Sequence, residues 1–228
     1  MTIGIIVAMR KELDLLLHLL SNTSETVIDG FTFFQGTIGK NPVVAMQCGI
    51  GKVNAAMGAL TLINNFAPQR VINTGVAGGA DKSVSVMDIV AARQVSYHDV
   101  WCGPESPWGQ VQGLPLHYDA SPDLLAMVPN RNDIKVGLTC SGDQFIDSME
   151  KVQSIKAKFP EALAVDMESA AIAQVCYVRK VGFMSLRVIS DSPGASKDNT
   201  QQYLDFWSEA PQHTFEVLKQ MIQQINPE

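Results

Sequence analysis

The stretch IGIIVA at residues 3–8 is continuously apolar and rich in β-branched side chains. Such a run is typical of a strand that is covered on both faces, as in a parallel sheet. Directly after it, residues 11–20 change to the spacing of an amphipathic helix. A buried strand followed by a helix is the repeating unit of α/β folds, so this stretch predicts that fold class.

The alternation of strands and helices continues along the chain. Two β-rich segments, residues 31–36 and 42–48, are separated by Gly-Lys-Asn and predict a hairpin. Further strands are predicted at residues 70–74, 88–97, 134–140, 162–166 and 183–190, and helices at residues 51–66, 169–177 and 203–225. Because no repeat or linker divides the chain, we expect residues 1–228 to form one domain, with a largely parallel sheet and helices on both faces.

The charge balance and the apolar runs exclude two classes of partner. The formal net charge is -6 and no run of basic residues occurs, whereas nucleic-acid binding depends on clustered Lys and Arg. The apolar runs are far shorter than the roughly 20 residues of a membrane helix. We therefore expect no nucleic-acid partner and no membrane association.

The N-terminus and the cysteines bear on location and cofactors. Met1 is followed almost at once by strand-like sequence, without the basic and apolar segments of a signal peptide. Four scattered cysteines, at 48, 102, 140 and 176, form no C-x-x-C motif. This spacing indicates neither a zinc site nor a disulfide framework. We expect a cytoplasmic protein with reduced thiols, no metal and no cofactor.

Candidate site residues follow from the strand ends. In open α/β sheets, ligands bind outside the carboxyl ends of the strands. Residues 70–74 run into a glycine-rich segment, residues 75–79, that is predicted to form a turn. The irregular residues 102–115 form the longest predicted loop, and loops of this length are often functional. The residues after the predicted strands are Met9, Glu12, Ile50, Val76, Ala77, Gly78, Phe145, Ile146, Met167, Glu168, Ser190 and Asp191.

Each charged candidate also has an ordinary structural interpretation. Glu12 fits the solvent face of its helix, and Glu168 fits a first helical turn, where the helix dipole favours a carboxylate. Arg187 and Asp191 share one strand face by two-residue alternation, which fits an internal salt bridge or a turn-capping aspartate. The glycines of residues 75–79 match neither a P-loop nor a dinucleotide fingerprint, and they fit either a tight turn or a close approach to a ligand.

Seven short blocks occur in one order along most of the chain. They are IGIIVAMRKE (3–12), CGIGKVN (48–54), INTGVAGG (72–79), YHD (97–99), SGDQFI (141–146), VDME (165–168) and RVISD (187–191). With these blocks the chain resembles the 5'-methylthioadenosine/S-adenosylhomocysteine nucleosidases, members of the purine nucleoside phosphorylase and nucleosidase superfamily. The resemblance implies a nucleoside phosphorylase-like fold, in which a central mixed twisted sheet is flanked by helices in a single domain. It also implies a homodimer.

The resemblance also implies a reaction and a role for each acid. The reaction is hydrolysis of the N-glycosidic bond of 5'-methylthioadenosine and S-adenosylhomocysteine, through an oxocarbenium-like sugar. Asp191 matches the general acid that protonates adenine N7, and Glu12 matches the residue that polarises the attacking water. Glu168 matches the carboxylate that holds the ribose hydroxyls, and Arg187 matches an arginine near the water and a glutamate. A protonated Asp191 requires that Arg187 be directed elsewhere.

The remaining pocket residues are also assigned by the resemblance. Phe145 stacks on adenine, the backbone of Ile146 reads the base edge, and Met167 packs on the ribose. The loop that contains Trp101, Trp108 and Leu114 is expected to close the site of the 5'-substituent, across a dimer interface. The pocket floor and the end of the last strand are assigned to Met9, Ile50, Val76, Ala77, Gly78 and Ser190.

The sequence departs from the family pattern at two positions, and it leaves three alternative functions to consider. Asp166 stands where the family often has Glu, so its shorter side chain is in question, and Val76 stands where some members have Ser. A purine nucleoside phosphorylase needs cationic donors for phosphate, and only Arg10 lies near the first strand end. A futalosine hydrolase differs in its 5' pocket and is harder to exclude. A nucleoside-binding module would need the base-binding residues but not three acids with Arg187.

Overall fold

The computed structural model describes residues 1–192, 206 and 211–225. The strands are β1 (Ile3–Val7), β2 (Ser21–Ile28), β3 (Phe31–Ile38), β4 (Asn41–Gln47), β5 (Arg70–Gly79), β6 (Ile89–Tyr97), β7 (Tyr118–Asp119), β8 (Ile134–Ser141), β9 (Ala162–Asp166) and β10 (Gly182–Asp191). The helices are α1 (Arg10–Leu17), α2 (Lys52–Phe66), α3 (Pro122–Ala126), α4 (Met149–Lys156), α5 (Ser169–Arg179) and α6 (Pro211–Gln224). None of the described helices is long and apolar enough to cross a membrane.

The strands form one mixed sheet. Its order is β10-β6-β8-β9-β5-β1-β4-β3-β2, and β10 also pairs with β5, so five strands close into a ring. Strand β5 is parallel to β1 and β10 but antiparallel to β9, and β10 is antiparallel to β6. The mixed sheet that the resemblance implies is therefore confirmed. The largely parallel sheet expected from the alternation of elements is corrected, because β6, β8 and β9 run opposite to β5 and β10 within the ring.

Closure of the ring brings strand ends together that an open sheet would keep apart. Strands β5 and β9 pair only through Gly78 with Val165 and Gly79 with Ala164. These residues lie at the carboxyl-terminal ends of both strands, so the two ends meet although the strands are antiparallel. The segments that follow β9 therefore reach the same place as the end of β5.

Strand β1 is buried on both faces, as IGIIVA predicts. Ile3, Ile5 and Val7 belong to the apolar cluster that includes residues of α1 and α6, whereas Ile6 belongs to the cluster formed with α2 and α5. Complete burial of such a side chain stabilises the fold by about 1.5–3 kcal/mol. Packing on both faces thus fixes β1 at the centre of the sheet, next to β4 and β5.

Several predicted elements are confirmed and others are corrected. The β3–β4 hairpin, α2 and α5 are present, and the described residues 102–115 contain no helix or strand. Residues 75–79 are not a turn but the last half of β5, because β10 and β9 pair with them. Helix α1 ends at Leu17 instead of residue 20. The final helix is described from Pro211, so most of its predicted start at residues 203–210 lies outside the described residues.

Strand β2 was not predicted because its sequence is polar. Seven of its eight residues are exposed, so it lacks the alternation of apolar and polar residues that indicates a half-buried strand. It is held at the sheet edge by its hairpin with β3. The turn is Asp29-Gly30, with φ of 50° and 81°, and the Asp-Gly pair is the signal that could have predicted it.

Candidate active site

One cavity lies where the ends of β5, β9 and β10 meet the loops after β1, β4 and β8. It is lined by all the catalytic and substrate-binding residues that were predicted at the strand ends or assigned by the resemblance, apart from the loop of Trp101 and Trp108. They are Glu12, Glu168, Arg187, Asp191, Met9, Ile50, Val76, Ala77, Gly78, Phe145, Ile146, Met167 and Ser190. Ala8, Gln144, Val165 and Asp166 also line it and were not predicted to do so. The strand-end rule thus located the cavity, while the roles of its residues stay predictions.

Glu12 points into the protein and not to solvent. Its side chain is 1% exposed. Oε2 accepts hydrogen bonds from the backbone N–H groups of Ala8 and Met9, each at 2.9 Å, and Oε1 accepts one from Val76 at 3.0 Å. Burial raises the pKa of Glu12, although Arg187 and these N–H groups oppose the shift. The interpretation of Glu12 as a surface residue is therefore wrong, and its carboxyl group is fixed at the cavity wall.

Arg187 is a fully buried cation whose guanidinium is directed at other groups of the site. Nε lies 2.9 Å from Asp166 Oδ2, and Nη2 lies 3.3 Å from Glu168 Oε2. Nη2 also donates to Asn73 Oδ1 at 2.6 Å, and Nη1 donates to the carbonyl of Val76 at 3.3 Å. Burial lowers the pKa of Arg187, but the surrounding carboxylates outweigh burial and raise it. All three guanidinium nitrogens are thus held in place.

Asp166 stands where the family often has Glu, and its shorter side chain still reaches Arg187. Its Oδ1 accepts from Ser141 Oγ at 2.5 Å and from the backbone N–H groups of Glu168 and Ser169 at 3.3 and 3.2 Å. Its Oδ2 accepts from Ser169 Oγ and pairs with Arg187. Asp166 therefore caps the start of α5, which leaves the carboxyl group of Glu168 available to the cavity.

Glu168 is the N-cap residue of α5, but its side chain makes no capping hydrogen bond. Its Oε1 accepts from the backbone N–H of Gly51 at 3.0 Å, and its Oε2 faces Arg187. Burial raises the pKa of Glu168 to about 7; Arg187 opposes the shift, and the negative charges of Asp166 and Glu12 add to it. The helix-capping interpretation of its side chain is therefore wrong, and Glu168 is a buried acid that titrates near neutral pH.

Asp191 ends β10 at a β-bulge. The register with β5 pairs Ile189 with Ala77 and Asp191 with Gly78, so Ser190 is the extra residue. Ser190 Oγ donates to Asp191 Oδ1 at 2.6 Å, and Asp191 is 2% exposed. The bulge interrupts the two-residue alternation that placed Arg187 and Asp191 on one strand face. Both residues line the cavity nonetheless.

Phe145 and Ile146 form apolar walls of the cavity, whereas the loop of Trp101 and Trp108 lies apart from it. Phe145 and Ile146 follow β8, and Phe145 is 47% exposed while Ile146 is buried. Trp101 and Trp108 stack on each other with ring centroids 5.4 Å apart. In the part of the chain that the structure describes, no residue of this loop lines the cavity. Within one chain, the predicted closure of the 5' site by the loop is therefore not seen.

The polar residues beneath the cavity were not predicted. Asn73 Oδ1 accepts from Arg187 Nη2 and lies 2.9 Å from Ser169 Oγ, and the Nδ2 of Asn73 donates to the carbonyl of Ile6 at 3.0 Å. Ser169 Oγ also contacts Ser185 Oγ at 2.8 Å. The available signal was Asn73, a polar residue directly after the apolar Val71 and Ile72 of a strand predicted to be buried, because buried polar groups need partners.

Comparisons with known proteins agree with this geometry. The family model described as the phosphorylase superfamily matches residues 2–223. A 5'-methylthioadenosine/S-adenosylhomocysteine nucleosidase of Anoxybacillus flavithermus is 38% identical over 99% of this chain and 100% of its own length. One from Staphylococcus epidermidis is 41% identical over 89% of this chain and 92% of its own length.

Solved structures of nucleosidases and of a related hydrolase are similar to this chain over nearly its full length. The S. pneumoniae nucleosidase with the transition-state inhibitor MT-ImmA has a TM-score of 0.93 at 34% identity, covering 99% of this chain and 100% of that one. A futalosine hydrolase of Helicobacter pylori has a TM-score of 0.90 at 30% identity, covering 98% of each chain. The chain belongs to the phosphorylase superfamily and, within it, to the family of 5'-methylthioadenosine/S-adenosylhomocysteine nucleosidases.

Proposed function

We propose that this protein hydrolyses the N-glycosidic bond of 5'-methylthioadenosine and S-adenosylhomocysteine, releasing adenine and the 5'-thio-substituted ribose. The observation that carries the proposal is the meeting of three buried acids, Glu12, Glu168 and Asp191, with Arg187 at one cavity. Relatives named as nucleosidases for these two substrates, at 38% and 41% identity, support the choice of substrate.

The geometry supports a division of roles among the acids. Asp191, at the end of β10, donates a proton to adenine N7, so that adenine leaves as a neutral base. Glu12, held by three backbone N–H groups, polarises the attacking water. Glu168 binds the ribose hydroxyls and favours the positive charge that builds on the sugar, an effect worth about 3–4 kcal/mol for a well-placed group.

The orientation of Arg187 supports a protonated Asp191. A guanidinium beside a carboxylate favours the charged form and would make the acid a poor proton donor. Here the guanidinium nitrogens are engaged by Asp166, Glu168, Asn73 and Val76. This arrangement meets the condition that Arg187 be directed elsewhere.

The charges around the cavity favour water over phosphate as the nucleophile. Phosphate binding uses cationic or N–H donors. Among the described residues that line the cavity, Arg187 is the one Lys or Arg, and it already pairs with two carboxylates. Arg10, the other candidate, is exposed and pairs with Asp14 at 2.8 Å. A purine nucleoside phosphorylase is therefore the weaker alternative.

One assay separates the enzymatic alternatives. Purified protein is incubated with methylthioadenosine, S-adenosylhomocysteine, inosine or futalosine, with and without phosphate, and the free base is measured. We expect adenine from the first two substrates at rates that do not depend on phosphate or on prior dialysis against a chelator. Release that requires phosphate would contradict the hydrolase, and release from futalosine alone would identify a futalosine hydrolase.

We also propose that the protein is a homodimer. Helices α2 and α5 pack together and expose Val53, Met57, Leu60, Tyr177 and Val178, with exposed fractions of 42–70%. Exposed apolar side chains on two packed helices are typical of an interaction site. In a dimer, the loop of Trp101 and Trp108 is expected to approach the 5' site of the partner.

Light scattering with size-exclusion chromatography tests the dimer. Met57→Glu should produce monomers, because it places a charge in the buried interface. Val27→Glu, at an exposed apolar position of β2, is the matched control and should stay dimeric. A monomeric wild-type protein would contradict the proposal.

The remaining expectations concern location and other ligands. With a net charge of -6, we propose a cytoplasmic protein whose ligand is a small nucleoside, without a nucleic-acid or membrane partner. Cell fractionation should place the protein in the cytosolic fraction. Its appearance in the membrane or nucleoprotein fraction would contradict this proposal.

A further inference from the structure

A polar network joins the segments that follow strands β4, β6 and β8. It consists of Lys52, the first residue of α2, Asp99, which follows β6, and Asp143, which follows β8. Lys52 Nζ lies 2.8 Å from Asp99 Oδ2 and 3.9 Å from Asp143 Oδ2. The backbone N–H of Asp143 donates to Asp99 Oδ2 at 2.9 Å. Asp99 thus receives two donors and links the other two residues.

The network also supplies the cap of α2. The N-cap residue, Gly51, has no side chain to accept a hydrogen bond and has φ of 93°. Asp143 Oδ1 takes over this role by accepting from the backbone N–H of Lys52 at 2.7 Å. The neighbouring N–H, that of Gly51, donates to Glu168 Oε1. Of two successive backbone N–H groups at the start of α2, one thus donates to Asp143 and the other donates to Glu168.

This placement connects two walls of the cavity. Asp143 lies two residues before Phe145 and three before Ile146, which line the base-binding side. Gly51 follows Ile50 and holds Glu168, the acid assigned to the ribose. The loop that contains Gly142 also packs closely on the residues after β6, because a Cβ at Gly142 would lie 2.5 Å from His98 Nε2 and 2.9 Å from Asp99 Cγ. A shift of Asp143 would therefore move both walls.

Resting on the proposed nucleosidase function, we propose that Lys52, Asp99 and Asp143 are positioning residues that couple the adenine-binding loop to the carboxyl group of Glu168. None of the three lines the cavity, so they act through the backbone of Gly51 and through the loop that carries Phe145. A small displacement of a catalytic group lowers the reaction rate, because the group then contacts the transition state in a less favourable geometry.

Steady-state kinetics with methylthioadenosine, together with inhibition by adenine, tests the proposal. Asp143→Ala should raise KM and the inhibition constant of adenine and should lower kcat, with a loss in kcat/KM of about tenfold or more. Asp143→Asn keeps an oxygen that can accept from the N–H of Lys52, so it should restore much of this loss. Lys52→Met, which keeps the backbone hydrogen bond, should have an intermediate effect.

A second lysine of the chain provides the matched control. Lys156 pairs with Asp81, and its side chain is 24% exposed, the same as that of Lys52. Lys156→Met should leave kcat and KM within about twofold of wild type, because the hydrogen bonds of this pair reach Ser83 and Ala162 and not Gly51 or the loop that carries Phe145. Thermal unfolding of every variant identifies those that lose their fold. If Asp143→Ala is one of them, Lys52→Met alone decides the question, and unchanged kcat, KM and adenine inhibition in Lys52→Met would then overturn the proposal.

The outcomes separate this proposal from the proposed function. If wild-type protein releases adenine and both Asp143→Ala and Lys52→Met keep its kcat, KM and adenine inhibition, the positioning role is wrong. Equal losses in Lys156→Met would likewise overturn it. If the wild-type protein releases no adenine, the proposed function itself fails.

Discussion

Replacing Glu168 by Gln should raise the stability of the protein relative to wild type progressively as the pH rises. Burial raises the pKa of Glu168 from 4.5 to about 7. A carboxyl group with a raised folded-state pKa contributes stability that is fully present below the unfolded-state pKa and is lost as the pH rises through the folded-state pKa. The glutamine side chain does not titrate, so only the wild-type protein loses stability over this window.

The size of the effect follows from the two pKa values. A shift from 4.5 to about 7 at about 1.4 kcal/mol per unit corresponds to about 3 kcal/mol. For a chain of 228 residues this is a relative gain in Tm of about 6–12 °C. The amide that replaces Oε2 would face Arg187 Nη2, 3.3 Å from Oε2 in the wild type. The cost of that contact is the same at every pH, so the pH dependence is the diagnostic quantity.

Chemical denaturation of both proteins at several values between about pH 5 and about pH 8 measures this difference. The difference in free energy of unfolding, variant minus wild type, should increase by about 2–3 kcal/mol across that range, because a part of the full effect is already present at about pH 5. Glu161→Gln, at an exposed position, provides the matched control for the same change of side chain outside the cavity. A Glu168→Gln difference that is constant, or that decreases as the pH rises, would refute the assignment of Glu168 as a buried acid.

Three further predictions concern the same site. Glu12→Gln and Asp191→Asn should each lower kcat/KM by about 10²–10⁴ while thermal unfolding stays close to wild type; a near-normal rate in either variant removes the role assigned to that residue. Arg187→Met should cost about 3–5 kcal/mol in chemical denaturation because it leaves buried carboxylates without their cation, and a loss below about 1 kcal/mol would contradict this. Gly75→Ala should reduce activity strongly, because a Cβ there would lie 2.8 Å from Glu12 Cδ and 3.0 Å from Arg187 Nη1, at φ of 144°. Gly30→Ala, with φ of 81° and no atom within 4 Å of the Cβ, controls for backbone strain alone, and equal losses in both variants would contradict the assignment to Glu12.

The sequence predicted which residues line the cavity because the signals are local. A strand that is apolar on both faces, such as residues 3–8, must lie inside the sheet, and the residues directly after it must lie at the sheet edge. This rule placed Glu12 and Asp191 at one cavity. The ordered blocks shared with the nucleosidases then gave each acid a role, which composition and spacing alone could not do.

The predictions that failed depend on pairing between distant segments. Residues 75–79 are rich in glycine and predict a turn, but pairing with β9 and β10 extends them as a strand. Strand β2 has no buried face, and hydrogen bonds to β3 define it. The local sequence does not indicate the pairing of residues 75–79, because a hydrogen-bonded ladder depends on the backbone of the partner. For β2 it offers one signal, the Asp29-Gly30 turn.

The sequence by itself determined the α/β class, the central position of β1 and the residues that gather at the strand ends, since hydrophobic periodicity reports which faces are buried. Only the tertiary structure decided the charge distribution of the site. Closure of the ring of strands placed Asp166, Glu168 and Asn73 around Arg187. Electrostatic energy depends on distance and burial, and these are set when segments far apart in the chain meet.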